Sequence, residues 1–180
     1  EMIDFVAAES ATRGRVLGLI PEIKHSTHFH TLGFDPEAVF LRTIAAHAYT
    51  RTAPLEVQSF ETGNLQRIGA DVRAINPQAR LMLLMGERKE VPPDLAAKGE
   101  KTTFGELMTP AGLKDVRRYA DVIGPSLTDL IPRDAQGAWL EPSSLVEDAH
   151  AAGLLVPCSA AAAPWVCTVP APVIAPVATG

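Results

Sequence analysis

The run Leu81-Met82-Leu83-Leu84-Met85 contains no polar residue, and it limits the possible folds more than any other segment of the chain. Successive side chains of a strand point to opposite faces, so a strand that is apolar throughout needs cover on both sides. Helices packed on the two faces of a parallel sheet supply that cover. Other segments follow the same pattern. Val16 to Ile23 stays apolar until its carboxyl end, Leu55, Val57 and Phe60 mark a second stretch, Val122-Ile123-Gly124-Pro125 is short and ends in a turn, and Leu154-Leu155-Val156 begins the last. Strands are therefore predicted near residues 15–23, 55–60, 80–85, 121–124 and 154–157.

Helical signals fall between these runs. Met2, Ile3, Phe5, Val6 and Ala7 form an apolar face that ends near Arg13-Gly14. Asp35-Pro36 gives an N-cap and a first-turn proline for a helix through about His47. Thr62 is placed to cap a helix carrying Leu65, Ile68, Val72 and Ile75, Thr109-Pro110 opens another, and Ser143 or Ser144 caps one through His150. His25 to Phe34 shows no period and reads as a loop. Residues 86–108 are charged, hold Pro92-Pro93 and read as a surface insertion, with Glu87, Lys89, Glu90 and the charges to Lys101 on its solvated face.

The balance of 21 acidic against 16 basic residues gives a net charge of −5. No Lys/Arg stripe is present to neutralise phosphates, which argues against a nucleic-acid partner. A hydrophobic fraction of 47% over 180 residues excludes a disordered chain. The opening residues show no basic n-region or cleavage site, so the compartment is not legible there. The long uncharged stretch 151–180 holds Pro157, Pro164, Pro170, Pro172 and Pro176, which argues against a membrane span. Cys158 and Cys167 form no CxxC pair and read as free thiols, and Trp139 and Trp165 show no stacking partner.

In parallel α/β sheets, open or closed, chemistry sits at the carboxyl ends of the strands. The residues expected there are Glu22 and Lys24, then Gln58, Ser59, Phe60 and Glu61, then Gly86 and Glu87, then Gly124, Pro125 and Ser126. Glu22 and Lys24 are two apart, so their side chains share a face. A carboxylate beside an ammonium suits a hard cation next to a phosphate, although on these two residues alone an exposed ion pair at a strand end is the better account of the pattern.

Four stretches add context: Pro21-Glu22-Ile23-Lys24-His25, Gln58-Ser59-Phe60-Glu61, Tyr119-Ala120-Asp121-Val122-Ile123-Gly124-Pro125 and Ala149-His150-Ala151-Ala152-Gly153-Leu154. In this order the chain resembles the glycerophosphodiester phosphodiesterase family, in its longer bacterial, periplasmic-like type, from residue 1 to about Val156. The resemblance implies a TIM (β/α)8 barrel, incomplete here with about strands three to seven, over residues 1–156, followed by a divergent Ala/Pro/Val-rich tail at 157–180. It also implies metal-dependent hydrolysis of a small-molecule glycerophosphodiester substrate to sn-glycerol 3-phosphate and an alcohol, with Ca²⁺ or Mg²⁺ as cofactor. Glu22 maps to a metal ligand, Lys24 to a phosphate contact, and Ser59, Phe60 and Gln58 to the substrate pocket. A periplasmic or secreted location goes with that family type.

The chain also departs from the family. The family's His-Arg-Gly motif, Glu-x-Asp metal pair and second catalytic histidine have no counterpart among His25, His28, His30, His47 and His150. The first three read as solvent-facing loop residues, and His150 as a helix-end residue complementing the dipole. After Val156 the charge disappears abruptly, as a shifted reading frame or a fused end would produce. The chain alone is therefore expected to be inactive. The competing reading is a non-catalytic barrel fragment or phosphate-binding module; an open-sheet nucleotide enzyme is disfavoured by the missing glycine-rich phosphate loop.

Overall fold

A computed structural model describes residues 1–157, so the expectations for Cys158, Trp165, Cys167 and the tail lie outside the described residues. Three parallel strands, β1 (Glu56–Ser59), β2 (Arg80–Leu84) and β3 (Val122–Gly124), form a sheet in the order β1-β2-β3. Val57 pairs with Leu81 and Met82 with Val122. The helices are α1 (Met2–Arg13), α2 (Ser26–Thr31), α3 (Pro36–Ala46), α4 (Thr62–Ile75), α5 (Pro93–Ala97), α6 (Phe104–Leu107), α7 (Pro110–Val116), α8 (Leu127–Leu130) and α9 (Leu145–Ala151). None is long and apolar enough to cross a membrane.

The wholly apolar run behaves as strand alternation requires. Leu81 and Leu83 enter the main core with Val57, Leu65, Ile68, Val72, Leu113 and Ile123, while Met82 and Leu84 pack with Val122 on the opposite face. Burying a leucine as completely as Leu83 contributes about 1.5–3 kcal/mol. Leu65, Ile68, Gly69 and Val72 recur at helical spacing, and this stripe lays α4 on the sheet.

The expectation of an incomplete eight-stranded barrel is overturned: the described residues form a three-stranded parallel sheet in a mixed α/β fold. The segments at 15–23 and 154–157 are not strands. They meet the sheet through isolated parallel bridges, Leu19 to Leu55, Glu22 to Gln58, and Leu155 to Val122. Pro21 has no N–H for a ladder, and Gly153 at φ 80° and Pro157 bracket the last apolar run so closely that little regular strand fits between them.

Other local expectations also change. His25 to Phe34 is not structureless, because it holds α2. The α1 face of Met2 and Phe5 is exposed rather than packed, and the buried residue of that helix is Ser10, whose hydroxyl meets the Tyr49 hydroxyl at 2.5 Å. Residues 86–108 are not simply a solvated surface: Asp94, Phe104, Leu107 and Met108 are buried. Trp139 has a partner after all, the Arg133 guanidinium at 3.8 Å from its ring centroid. Asp35 caps α3 through Ala38 N–H at 2.9 Å, and Thr109 caps α7, as their sequences predict.

Thr62 does not cap α4. Asp94 does so from outside the helix, accepting from Thr62 N–H at 3.1 Å, Thr62 Oγ1 at 2.9 Å and Gly63 N–H at 2.7 Å. The residues between β2 and α7 are thereby fastened to the first turn of α4.

Candidate functional site

At the carboxyl ends of β1 and β2 lies a cleft of about 540 Å³, bordered by Glu22, Lys24, His25, Ser59, Phe60, Glu61, Gly86, Glu90 and Phe104. Pro21 to Lys24 runs beside β1, with Ile23 N–H donating to the Gln58 carbonyl at 3.0 Å. The side chains of Glu22 and Lys24 do share a face, with Lys24 Nζ 2.9 Å from Glu22 Oε2. The Glu22 side chain is 17% exposed and that of Lys24 65%, so the carboxylate sits in the wall and the ammonium reaches over it from solvent.

Strand alternation separates Gln58 from Ser59, and Phe60 follows the end of β1. Ser59 is buried, and its hydroxyl donates to the Ile23 carbonyl at 3.2 Å while accepting from Glu61 N–H at 3.1 Å. Ser59 thus ties the Glu22–Lys24 segment to the end of β1. Gln58 points to the other face and does not border the cleft. Phe60 stands half-exposed at the mouth, edge-on to Phe104 with centroids 6.4 Å apart.

Gly86 keeps the aromatic wall in place. A Cβ there would lie 2.6 Å from the Phe104 ring. Gly86→Ala is expected to displace Phe104 from Phe60 and cost about 1–3 kcal/mol. Urea unfolding checks the cost, and wild-type stability would show that the ring moves freely.

Glu61 is a residue that sequence reasoning placed at a strand end but did not assign to the site. It is 2% exposed. Its Oε2 accepts from Thr27 N–H at 2.9 Å and Thr27 Oγ1 at 2.5 Å, and its Oε1 has no hydrogen-bond partner. Three carboxylates, Glu22, Glu61 and Glu90, therefore face one ammonium, Lys24, around the cleft. Such a cleft repels a phosphate unless positive charge enters with it. The donor set, carboxylate oxygens with one buried oxygen unpartnered, fits a hard divalent cation.

His25 also borders the cleft, in the left-handed region at φ 51°, the only described non-glycine residue with positive φ. His30 is exposed, as expected, but it lies on α2 rather than in a loop, and its Nε2 meets Glu37 Oε2 at 2.8 Å. Its ligand atoms, with those of Asp35 and Glu37, lie within 4.8 Å of one another. Glu37 is already bonded to Arg67 and Asn64, so positive charge is in place there. Burial opposes ionisation of Glu37, but the Ser26 hydroxyl and the Arg67 guanidinium outweigh it and hold its carboxyl below the usual range.

The sign of the Glu37 shift fixes its pH dependence. A lowered folded-state pKa adds stability that is present above about pH 4.3, the ordinary glutamate value, and is lost as pH falls through the folded value. Glu37→Gln should therefore be less stable than the wild type at pH 7, with the gap closing in acid. Urea titrations at both pH values check this, and a constant gap would contradict it.

No family model matches the chain. A glycerophosphodiester phosphodiesterase from Treponema pallidum (strain Nichols) is 24% identical to it over 142 residues, covering 74% of this chain. The chain spans 39% of the length of that relative.

Proposed function

We propose that the cleft binds a glycerophosphodiester together with Ca²⁺ or Mg²⁺, and that the chain forms part of a phosphoric diester hydrolase. The observation that carries this reading is the cleft itself, where Glu22 is paired with Lys24 among an excess of carboxylates at the carboxyl end of a parallel sheet. The name of the Treponema relative agrees with it. Glu22 would hold the cation, which when bound neutralises the diester and polarises its phosphoryl oxygens. Lys24, released from Glu22, turns its ammonium toward a non-bridging phosphate oxygen. Phe60 and Phe104 offer an apolar wall to the glycerol carbons, and Ser59 fixes the backbone that carries Glu22 and Lys24.

Hydrolysis needs a proton removed from the nucleophile and one given to the leaving alkoxide, each such group contributing about 10²–10⁴-fold. Among the described residues the one imidazole bordering the cleft is His25, and no hydrogen bond orients its ring. Binding without turnover is therefore expected of this chain alone.

Calorimetric titration with glycerophosphoglycerol tests the reading. The affinity should rise when Ca²⁺ or Mg²⁺ is present, and Lys24→Ala should lower it about tenfold, the loss of one charge-assisted bond. The same variant should bind the cation alone more tightly, because the competing ammonium is gone. Diester binding indifferent to cation would contradict the reading.

A further inference from the structure

Glu61 is a carboxylate almost fully enclosed by protein, and no Lys, Arg or His among the described residues forms an ion pair with it. Such a group normally has a counter-charge or a full set of donors, since an unpaired buried charge costs several kcal/mol. Thr27 satisfies Oε2 with two bonds, which also fixes the orientation of the carboxylate, while Oε1 accepts nothing. The residue borders the cleft that Glu22 borders.

We propose that Glu61 is a second carboxylate ligand of the divalent cation held by Glu22, a deepening of the function proposed above and dependent on it. Thr27 and Ser59 are its positioning residues: the first holds the carboxylate, and the second binds its backbone N–H. Two carboxylates supply a hard cation with oxygens and cancel its charge, and water and phosphate complete the six to eight ligands that Ca²⁺ takes. The arrangement also gives Lys24 a second task. It stands on Glu22 until the cation arrives, so cation and phosphate binding favour each other.

Titration with CaCl₂ and with MgCl₂, without any phosphate compound, tests this in the full chain. The wild type should bind one ion, with Glu22→Gln and Glu61→Gln each at least about tenfold weaker. His30→Ala should leave the affinity unchanged. Glu61→Asp keeps the charge but retracts the oxygen by one methylene, and should also bind more weakly. It serves where Glu61→Gln folds poorly, and the rise in Tm on adding cation gives a second readout.

Loss of binding in Glu22→Gln with wild-type affinity in both Glu61 variants would overturn the role of Glu61 and leave the proposed function standing. Binding that survives all three cleft variants but disappears in His30→Ala would place the ion beside Asp35 and Glu37, overturning both. A wild type that binds no ion would overturn the inference for Glu61, and the diester titration then decides the proposed function separately.

Discussion

Asp94→Ala is expected to lower the unfolding free energy by about 3–5 kcal/mol, since two or more buried donors would lose their acceptor at about 1–3 kcal/mol each. Those donors are Thr62 N–H, Thr62 Oγ1 and Gly63 N–H, all in the first turn of α4 and all bonded to one carboxylate that is 3% exposed. The loss should spread beyond α4, because Asp94 also anchors the segment that brings Pro93, Ala96 and Phe104 to the cleft. In a chain of this size, about 2–4 °C per kcal/mol corresponds to a fall in Tm of roughly 10 °C. Asp94→Asn keeps one acceptor oxygen and should fall between the two. A shift of less than about 0.5 kcal/mol in Asp94→Ala, the range of an ordinary surface change, would show that the cap is dispensable.

Glu22→Gln is expected to weaken Ca²⁺ or Mg²⁺ binding by about 100-fold, or about 2.8 kcal/mol. A neutral amide attracts a hard cation far less than a carboxylate does, and the substitution changes almost nothing in shape. Lys24 loses its 2.9 Å partner in the same variant, so its ammonium is no longer paired with Glu22 and opposes the cation more strongly. Diester binding that depends on cation should weaken with it. An unchanged cation titration would remove Glu22 from the site.

These expectations show which parts of the molecule are legible from sequence. The apolar run at 81–85 predicts β2 and its two-sided burial, because that depends on strand alternation alone. The capping signals at Asp35-Pro36 and Thr109-Pro110 are equally local and produce α3 and α7. Apolar character does not by itself make a strand, and the segments around Pro21 and before Pro157 meet the sheet only at single bridges. Chain-distant contacts leave no local trace. Nothing near Thr62 shows that a carboxylate 32 residues away caps α4.

The candidate site divides along the same line. The two-residue spacing of Glu22 and Lys24 places them on one face, and the structure finds them 2.9 Å apart. Glu61 stands one residue beyond Phe60, at a strand end where polar residues are expected, but its burial and its unpartnered oxygen arise from Thr27 and the packing of α2. Gln58 and Ser59 are adjacent in the same motif, and the pleat sends them to opposite faces.

Backbone amide chemical shifts, recorded while glycerophosphoglycerol is added with and without Ca²⁺, test the cation-assisted cleft most directly. Saturable perturbations are expected at Lys24, His25, Phe60, Glu61 and Gly86 when Ca²⁺ is present, and much weaker ones without it. Perturbations clustered instead around His30, Asp35 and Glu37, or the same in both conditions, would contradict it.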